Sequence, residues 1–327
     1  LKVLTPQVFT MMVIMALVTT FMTGPALNLI NWAFKSKNKF LPEEINSKSK
    51  FKILLFFGNN EKGKSLLRLA SSLVKKQKEN VNITAMHLVL SDEMHAYNME
   101  EYETDSFLPI INESKILEQQ ITTVFKATVD VETDIVEIAN QGEYDLLLVG
   151  LGKSIFEGTI LGKVLGFTTR IINPDRLIDK FTGKEGLFEN SPFDERTRQI
   201  ISKTKMPLGI LINKDLQTVN EVFVPIFSAE DGFLLDYAQK LIYNNDSKIA
   251  VLDCNNQLKN NFIFKNALDS LENNYPSNMS LLTNKVIEKE FLNQHDLMVI
   301  SLESWKKLVD SQSDWLSDIP SVLIVKP

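Results

Sequence analysis

With 327 residues the chain is long enough for about two domains, and its 44% hydrophobic and 23% charged residues are those of an ordinary globular protein. A net charge of −6 excludes a protein that works by neutralising nucleic-acid phosphates, so no nucleic-acid partner is expected. Cys254 is the one cysteine, which excludes an intrachain disulfide, and His87, His95 and His295 share no ligand spacing with it that would build a zinc site.

The chain opens on Leu1 rather than methionine, so it is expected to continue a longer protein. From Thr5 to Phe34 there is no charged residue. Thirty helical residues would cover about 45 Å, more than the ~30 Å hydrocarbon core of a bilayer. The apolar residues fall all round rather than on one stripe, as lipid or a buried bundle position requires. Gly24-Pro25 is a kink that neighbouring helices can cover, Trp32 stands where an interfacial aromatic would, and Lys35, Lys37 and Lys39 follow. The run is too long for a signal peptide and its basic flank is on the wrong side. A transmembrane helix over 1–34 is expected, with everything after residue 35 in the cytoplasm. A buried helix of a soluble protein is the competing reading.

Residues 35–50 form a charged linker, and alternating strands and helices follow. FKILLFF (51–57) is apolar throughout, as a strand buried on both faces would be. GKSLLRLASSLVKK has the helical period, with Leu66, Leu69, Ala70, Leu73 and Val74 on one side. VNITAMHLVL is read as a strand, Tyr97–Glu103 as an acidic surface loop, Ile116–Ala127 as a helix and Thr128–Thr133 as a strand. DIVEIANQG is read as a short helix, YDLLLVG (144–150) as a strand and MPLGILI as the closing strand. The plan then recurs. EVFVPIF answers FKILLFF, GFLLDYAQKLI answers GKSLLRLASSLV, KIAVLDC answers ITAMHLVL, HDLMVIS answers YDLLLVG, and IPSVLIV answers MPLGILI. Two parallel-sheet α/β units are expected, at 51–213 and 214–327. The first carries a helical insertion at 153–205, whose helix starts are marked by Asn173-Pro174-Asp175 and Ser191-Pro192-Phe193-Asp194-Glu195.

Residues 58–65, GNNEKGKS, match G-x-x-x-x-G-K-[ST], in which loop amides cradle phosphates and the lysine reaches the outer ones. A P-loop enzyme also needs an acid closing a neighbouring strand. Asp92 is the one nearby candidate, and Asp145 opens its strand instead of closing it. The matching turn of the second unit, FSAEDGFLL, has no GK[ST]. The plainer reading is a strand-to-helix turn with Lys64 in the first turn of a helix. Ser65, Ser154 and Cys254 have no histidine and acid placed to activate them. No enzyme activity is expected.

Val13–Pro25, VIMALVTTFMTGP, resembles the last transmembrane helix of monovalent cation:proton antiporters of the cation:proton antiporter-2 type. The repeated units resemble universal stress protein domains, which some of these antiporters carry as a tail. The resemblance implies the C-terminal part of a multi-pass inner-membrane exchanger of Na⁺ or K⁺ for H⁺. It implies a homodimer, the upstream spans of the same transporter as neighbours, and the cation and proton handled outside this chain. ATP-binding universal stress proteins place an acid after strand one and a glycine cluster after strand four. Here Gly58-Asn59 stands at the first place, and Gly150, Gly152 and Gly162 at the second, with Lys163 where a hydroxyl is expected. The second unit has ISLESWKKL and no glycine. Gly58, Asn59, Lys64, Gly150, Gly152 and Gly162 are therefore the candidate crevice for a weakly bound adenine nucleotide or another anion, with no metal or other cofactor expected. The alternative is a soluble tandem nucleotide-binding protein of the universal stress type.

Overall fold

A computed structural model of the chain describes residues 7, 11, 12, 15, 50–91, 99–151, 193, 195–254, 262–283, 287–310, 316 and 318–327. It divides into Leu1–Ser47 and Lys48–Pro327. In the first part Gln7, Met11, Met12 and Met15 are helical. The expected membrane span otherwise lies outside the described residues, and among those no helix is long and apolar enough to cross a membrane.

The described residues of Lys48–Pro327 build a ten-stranded sheet of order β3-β2-β1-β4-β5-β10-β9-β6-β7-β8. The first half contributes β1 (Phe51–Phe56), β2 (Val81–Leu90), β3 (Ile121–Thr128), β4 (Leu146–Leu151) and β5 (Leu208–Ile212). The second contributes β6 (Glu221–Ile226), β7 (Lys248–Asp253), β8 (Met279–Thr283), β9 (Leu297–Ser301) and β10 (Ser321–Lys326). Within each half all pairings are parallel, and both halves run in the order third, second, first, fourth, fifth. The halves join where β5 pairs antiparallel with β10, Leu208 opposite Lys326 and Ile212 opposite Val322.

The sheet is covered on both faces, which is why its strands are apolar on both. Along β1, Ile53 and Leu55 enter one core while Leu54 enters the other. Helices α1 (Asn60–Val74), α2 (Met99–Ile116), α5 (Leu234–Asn245) and α6 (Phe262–Asn274) contribute Leu66, Phe107, Leu241 and Leu268 to the first core. Helices α3 (Val131–Gln141), α4 (Glu195–Lys203), α7 (Lys289–Leu292) and α8 (Leu302–Asp310) contribute Ile135, Ile200, Leu292 and Trp305 to the second.

The aspartate that recurs in YDLLLVG and HDLMVIS has a structural reason. Asp145 Oδ2 accepts from the Lys52 amide at 2.7 Å, and the Asp145 amide donates back to the Lys52 carbonyl at 2.8 Å. Asp296 repeats this on β6, accepting from the Asn220 and Glu221 amides at 2.7 and 3.2 Å. Each clamps the start of its half's first strand to its fourth.

Three local readings are corrected. Met99–Ile116 is a helix, not an acidic loop. Pro109 inside it and its polar N-terminal half conceal the period. Ile121–Thr128 is a strand rather than part of a helix, since Ile121, Thr122, Thr123, Val124 and Phe125 are β-branched or aromatic. Glu118, with φ at 52°, breaks the helical path before it. Val131–Gln141 is a helix that takes in the second half of the expected strand Thr128–Thr133, capped by Asp130, whose Oδ1 accepts from the Thr133 amide at 3.0 Å. Of the insertion, Phe193 and the helix Glu195–Lys203 are described; the rest of 153–205 up to that helix lies outside the described residues.

Side chains cross the junction between halves. Asn244 of α5 is 1% exposed; its Nδ2 donates to the Leu73 carbonyl at 2.7 Å and its Oδ1 accepts from the Lys76 amide at 3.2 Å. Arg68 grips Glu113 through Nε at 2.7 Å and Nη2 at 3.1 Å, and its Nη1 donates to the Leu216 carbonyl at 3.1 Å, in the segment leading to β6. Lys326 Nζ donates to the Ile201 and Thr204 carbonyls at 2.6 and 3.1 Å, closing the C-terminal end of α4. Asn244→Ala takes the partner from the buried Leu73 carbonyl and from the part-buried Lys76 amide, and is expected to lower the unfolding free energy by about 2 kcal/mol, read from urea denaturation.

Candidate functional site

In an open parallel sheet, ligands sit beyond the carboxyl ends of the strands where the strand order reverses. That point lies between β1 and β4 in the first half and between β6 and β9 in the second. Because β5 and β10 are antiparallel, the two crevices open at opposite ends of the sheet.

In the first half, β1 leads through Phe57-Gly58-Asn59 into α1. Asn59 is extended, at φ −148° and ψ 142°, and its Oδ1 accepts from the Glu61 amide at 2.9 Å. Its carbonyl accepts from the Lys62 and Gly63 amides, each at 3.1 Å. The helix therefore starts at Asn60, and the motif residues 60–65 lie in its first turns. Three of the amides that a phosphate cradle would present are already bonded to Asn59.

The remaining predicted residues separate into different roles. Gly58 is exposed, has an ordinary φ, and an added Cβ would meet nothing within 4 Å. At Gly63 a Cβ would come within 3.1 Å of the Phe57 ring, so this glycine serves helix-to-strand packing. Lys64 Nζ pairs with Glu61 at 2.7 Å. Ser65 is buried, its hydroxyl accepting from Asn213 Nδ2 at 3.0 Å. At Gly150 a Cβ would lie 3.1 Å from Leu66 Cδ1 and 3.4 Å from Lys62 Cβ, so its bareness lets α1 approach β4. Gly152 and Gly162 lie outside the described residues. The structure thus gathers Gly58, Asn59 and Gly150 at one strand end and directs Lys64 to a neighbouring acid. Lys62, which the motif leaves as an unspecified position, is the half-buried lysine beside Gly150. Burial pushes its pKa below the usual ammonium range.

Beneath this crevice lies an aromatic cluster. The His87 ring stacks on Phe57 with centroids 5.2 Å apart and meets Phe125 at 6.1 Å and Tyr102 at 6.3 Å. His87 Nδ1 lies 2.8 Å from the Phe57 carbonyl, an acceptor, so that nitrogen carries the proton. Burial pushes the His87 pKa below its ordinary value, with the carbonyl bond partly opposing.

In the second half the equivalent crevice is filled by a carboxylate. Asp231, 1% exposed, sits in the short 3-10 helix Ala229–Phe233 that precedes α5. Its Oδ2 accepts from the Phe227 and Ser228 amides, both at 2.9 Å. Its other contacts are the hydroxyls of Ser301, at the end of β9, and Ser304, at 2.8 Å, in α8. Four donors converge on an acceptor-only group, leaving none for a ligand. Helix α8 starts directly after β9, with Trp305 fully buried, whereas residues 152–192 after β4 of the first half lie outside the described residues. The two serines of ISLESWKKL carried this signal, but only beside Asp231, the last residue of FSAED.

Cys254 has its thiol pushed up to about 12, by burial first and then by the Asp253 charge, which disfavours the thiolate. Among the described residues no group of three His, Cys, Asp or Glu side chains is placed to share a metal ion.

No family model and no curated protein matches the sequence. Among solved structures, the chain is similar to the cytoplasmic domain of a prokaryotic cation chloride cotransporter, at 13% identity and a TM-score of 0.49, over 84% of this chain and 95% of that one. It is similar to a universal stress protein from Archaeoglobus fulgidus DSM 4304, at 11% identity and a TM-score of 0.45, over 84% and 96%. A universal stress protein solved in complex with cAMP matches half of the chain, at 12% identity and a TM-score of 0.27, over 50% of this chain and 96% of that one.

Two measurements follow. Asp231→Ala strands four donors and is expected to destabilise the fold by about 3 kcal/mol, whereas Lys64→Ala, which breaks a surface pair, should cost less than about 0.5 kcal/mol; urea denaturation compares them. Because the folded state disfavours His87 protonation, the unfolded state binds the extra proton, and stability falls as pH drops below about 6.5. Unfolding midpoints of the protein and of His87→Gln across this range should diverge at neutral pH and converge in acid.

Proposed function

We propose that the chain is the last membrane span and cytoplasmic tail of a monovalent cation/proton antiporter, and that its α/β body regulates exchange by pairing with another body. The single observation that carries this is the uncharged run Thr5–Phe34 followed at once by Lys35, Lys37 and Lys39. Its VIMALVTTFMTGP segment resembles the closing helix of the antiporter family. No residue of that run can carry a proton or pair with a cation in the membrane, so the transport site belongs upstream.

A tail shifts a transport equilibrium only by binding something differently in two states. The second crevice spends its donors on Asp231, and the first spends three amides on Asn59. These closures favour a protein-pairing body over an enzyme. An adenine nucleotide effect, on this reading, is weak, confined to the first half through Lys62, and without hydrolysis. The second reading, a soluble tandem nucleotide-binding protein, is favoured by the half-buried position of Lys62 beside Gly150.

Fractionation of cells expressing the chain separates the two readings. The protein is expected in the membrane fraction after an alkaline wash; recovery as a monodisperse species without detergent would overturn the membrane reading. In calorimetric titration with ATP, ADP and AMP, binding weaker than micromolar is expected. Micromolar affinity lost in Lys62→Ala would favour the second reading.

A further inference from the structure

From the sheet's outer edge we infer that β3, with α2 beside it, is the surface that binds a second copy of this chain, the two β3 strands adding antiparallel about a two-fold axis at Val124. The inference rests on the reading of the body as a pairing module and names the surface it uses.

Among the described residues β3 pairs with β2 alone and ends the sheet, so its outer side presents a row of amide and carbonyl groups. Proteins usually blunt such an edge with proline, charge or a short strand. This one is eight residues long and has no proline. Its single charge, Lys126, is held by Asp134 of the same chain at 2.9 Å. The other outer edge, β8, is five residues long. Exposed apolar side chains gather at the β3 side. Among the described residues of Lys48–Pro327 they are Met99, Leu108, Ile116, Val129 and Tyr243, and the first four lie on α2 or directly after β3. Ile116 is 75% exposed and Val129 88%. A groove of about 600 Å³ runs between the end of α2 and the start of β3, with Ile111 and Ile121 in its wall.

What completes such an edge is another strand, and the sequence of β3 suits its own copy. With Val124 opposite Val124, Thr122 faces Lys126 and Thr123 faces Phe125 on each side of the axis. No like charges meet, and β-branched and aromatic residues stand in cross-strand pairs. The same axis sets the acidic first half of one α2, with Glu100, Glu101, Glu103 and Asp105, toward the second half of its partner, which carries Lys115 and whose Glu113 is already held by Arg68. The sheet already shows this mode of joining, since its two repeated halves pair antiparallel through β5 and β10.

The test uses the full chain in detergent. Sedimentation equilibrium is expected to show a dimer at micromolar concentration. Thr122→Lys with Thr123→Lys, both exposed positions, should weaken association by more than about tenfold with an unchanged far-UV circular dichroism spectrum. In a Cys254→Ser background, Val124→Cys should form a disulfide-linked dimer on mild oxidation, and Ser280→Cys on β8 should not. A chain monomeric at every concentration overturns both the surface and the pairing reading. A dimer that survives the two lysines and leaves Val124→Cys uncross-linked overturns the surface alone.

Discussion

The antiparallel pairing of Leu208–Ile212 with Ser321–Lys326 is the contact on which the rest of the body depends. Each repeat builds a five-stranded parallel half-sheet that would otherwise end in an exposed apolar strand. Joining the two buries both inner edges at once. The remaining geometry follows. α1 and α5 share one core, Asn244 and Arg68 bridge the halves on that side, and Lys326 closes α4 on the other. The crevices open at opposite ends, so no single small ligand can span them.

The halves share a plan and differ in what occupies the strand ends. In the second, evolution of the sequence has placed a buried carboxylate among four donors, and the position is closed by the protein's own charge. In the first, an asparagine cap takes the amides and a half-buried lysine stands beside a bare glycine. The described strand ends of the second half are closed by Asp231, and those of the first are lined by Asn59, Lys62 and Gly150.

Much of this was legible in the sequence wherever burial on two faces produces unbroken apolar runs. FKILLFF, YDLLLVG and EVFVPIF read directly as central strands, and the recurrence of HDLMVIS exposed the repeat. The edge was harder. β3 is half solvated, so ITTVFKAT carries neither an apolar run nor a clean alternation, and the helix before it contains Pro109 and apolar residues on more than one side. The candidate site was the least legible part. GNNEKGKS fits a phosphate loop letter by letter, yet whether those residues form a loop depends on Asn59 capping the helix at Asn60. The closure of the second crevice needs Asp231, Ser301 and Ser304 to meet across some seventy residues of chain, a contact no local pattern encodes. The antiparallel sense of the seam was equally hidden, because strand direction at a junction is set by which edges meet.

If the seam makes one body of two repeats, the two halves unfold together. Residue-resolved amide hydrogen exchange in rising denaturant measures this most directly. The account predicts that the amides of β5 and β10 exchange only through global unfolding, and that the core strands β1, β4, β6 and β9 share one unfolding free energy. Exchange of β6 to β9 through a separate opening that leaves β1, β2 and β4 protected would contradict it.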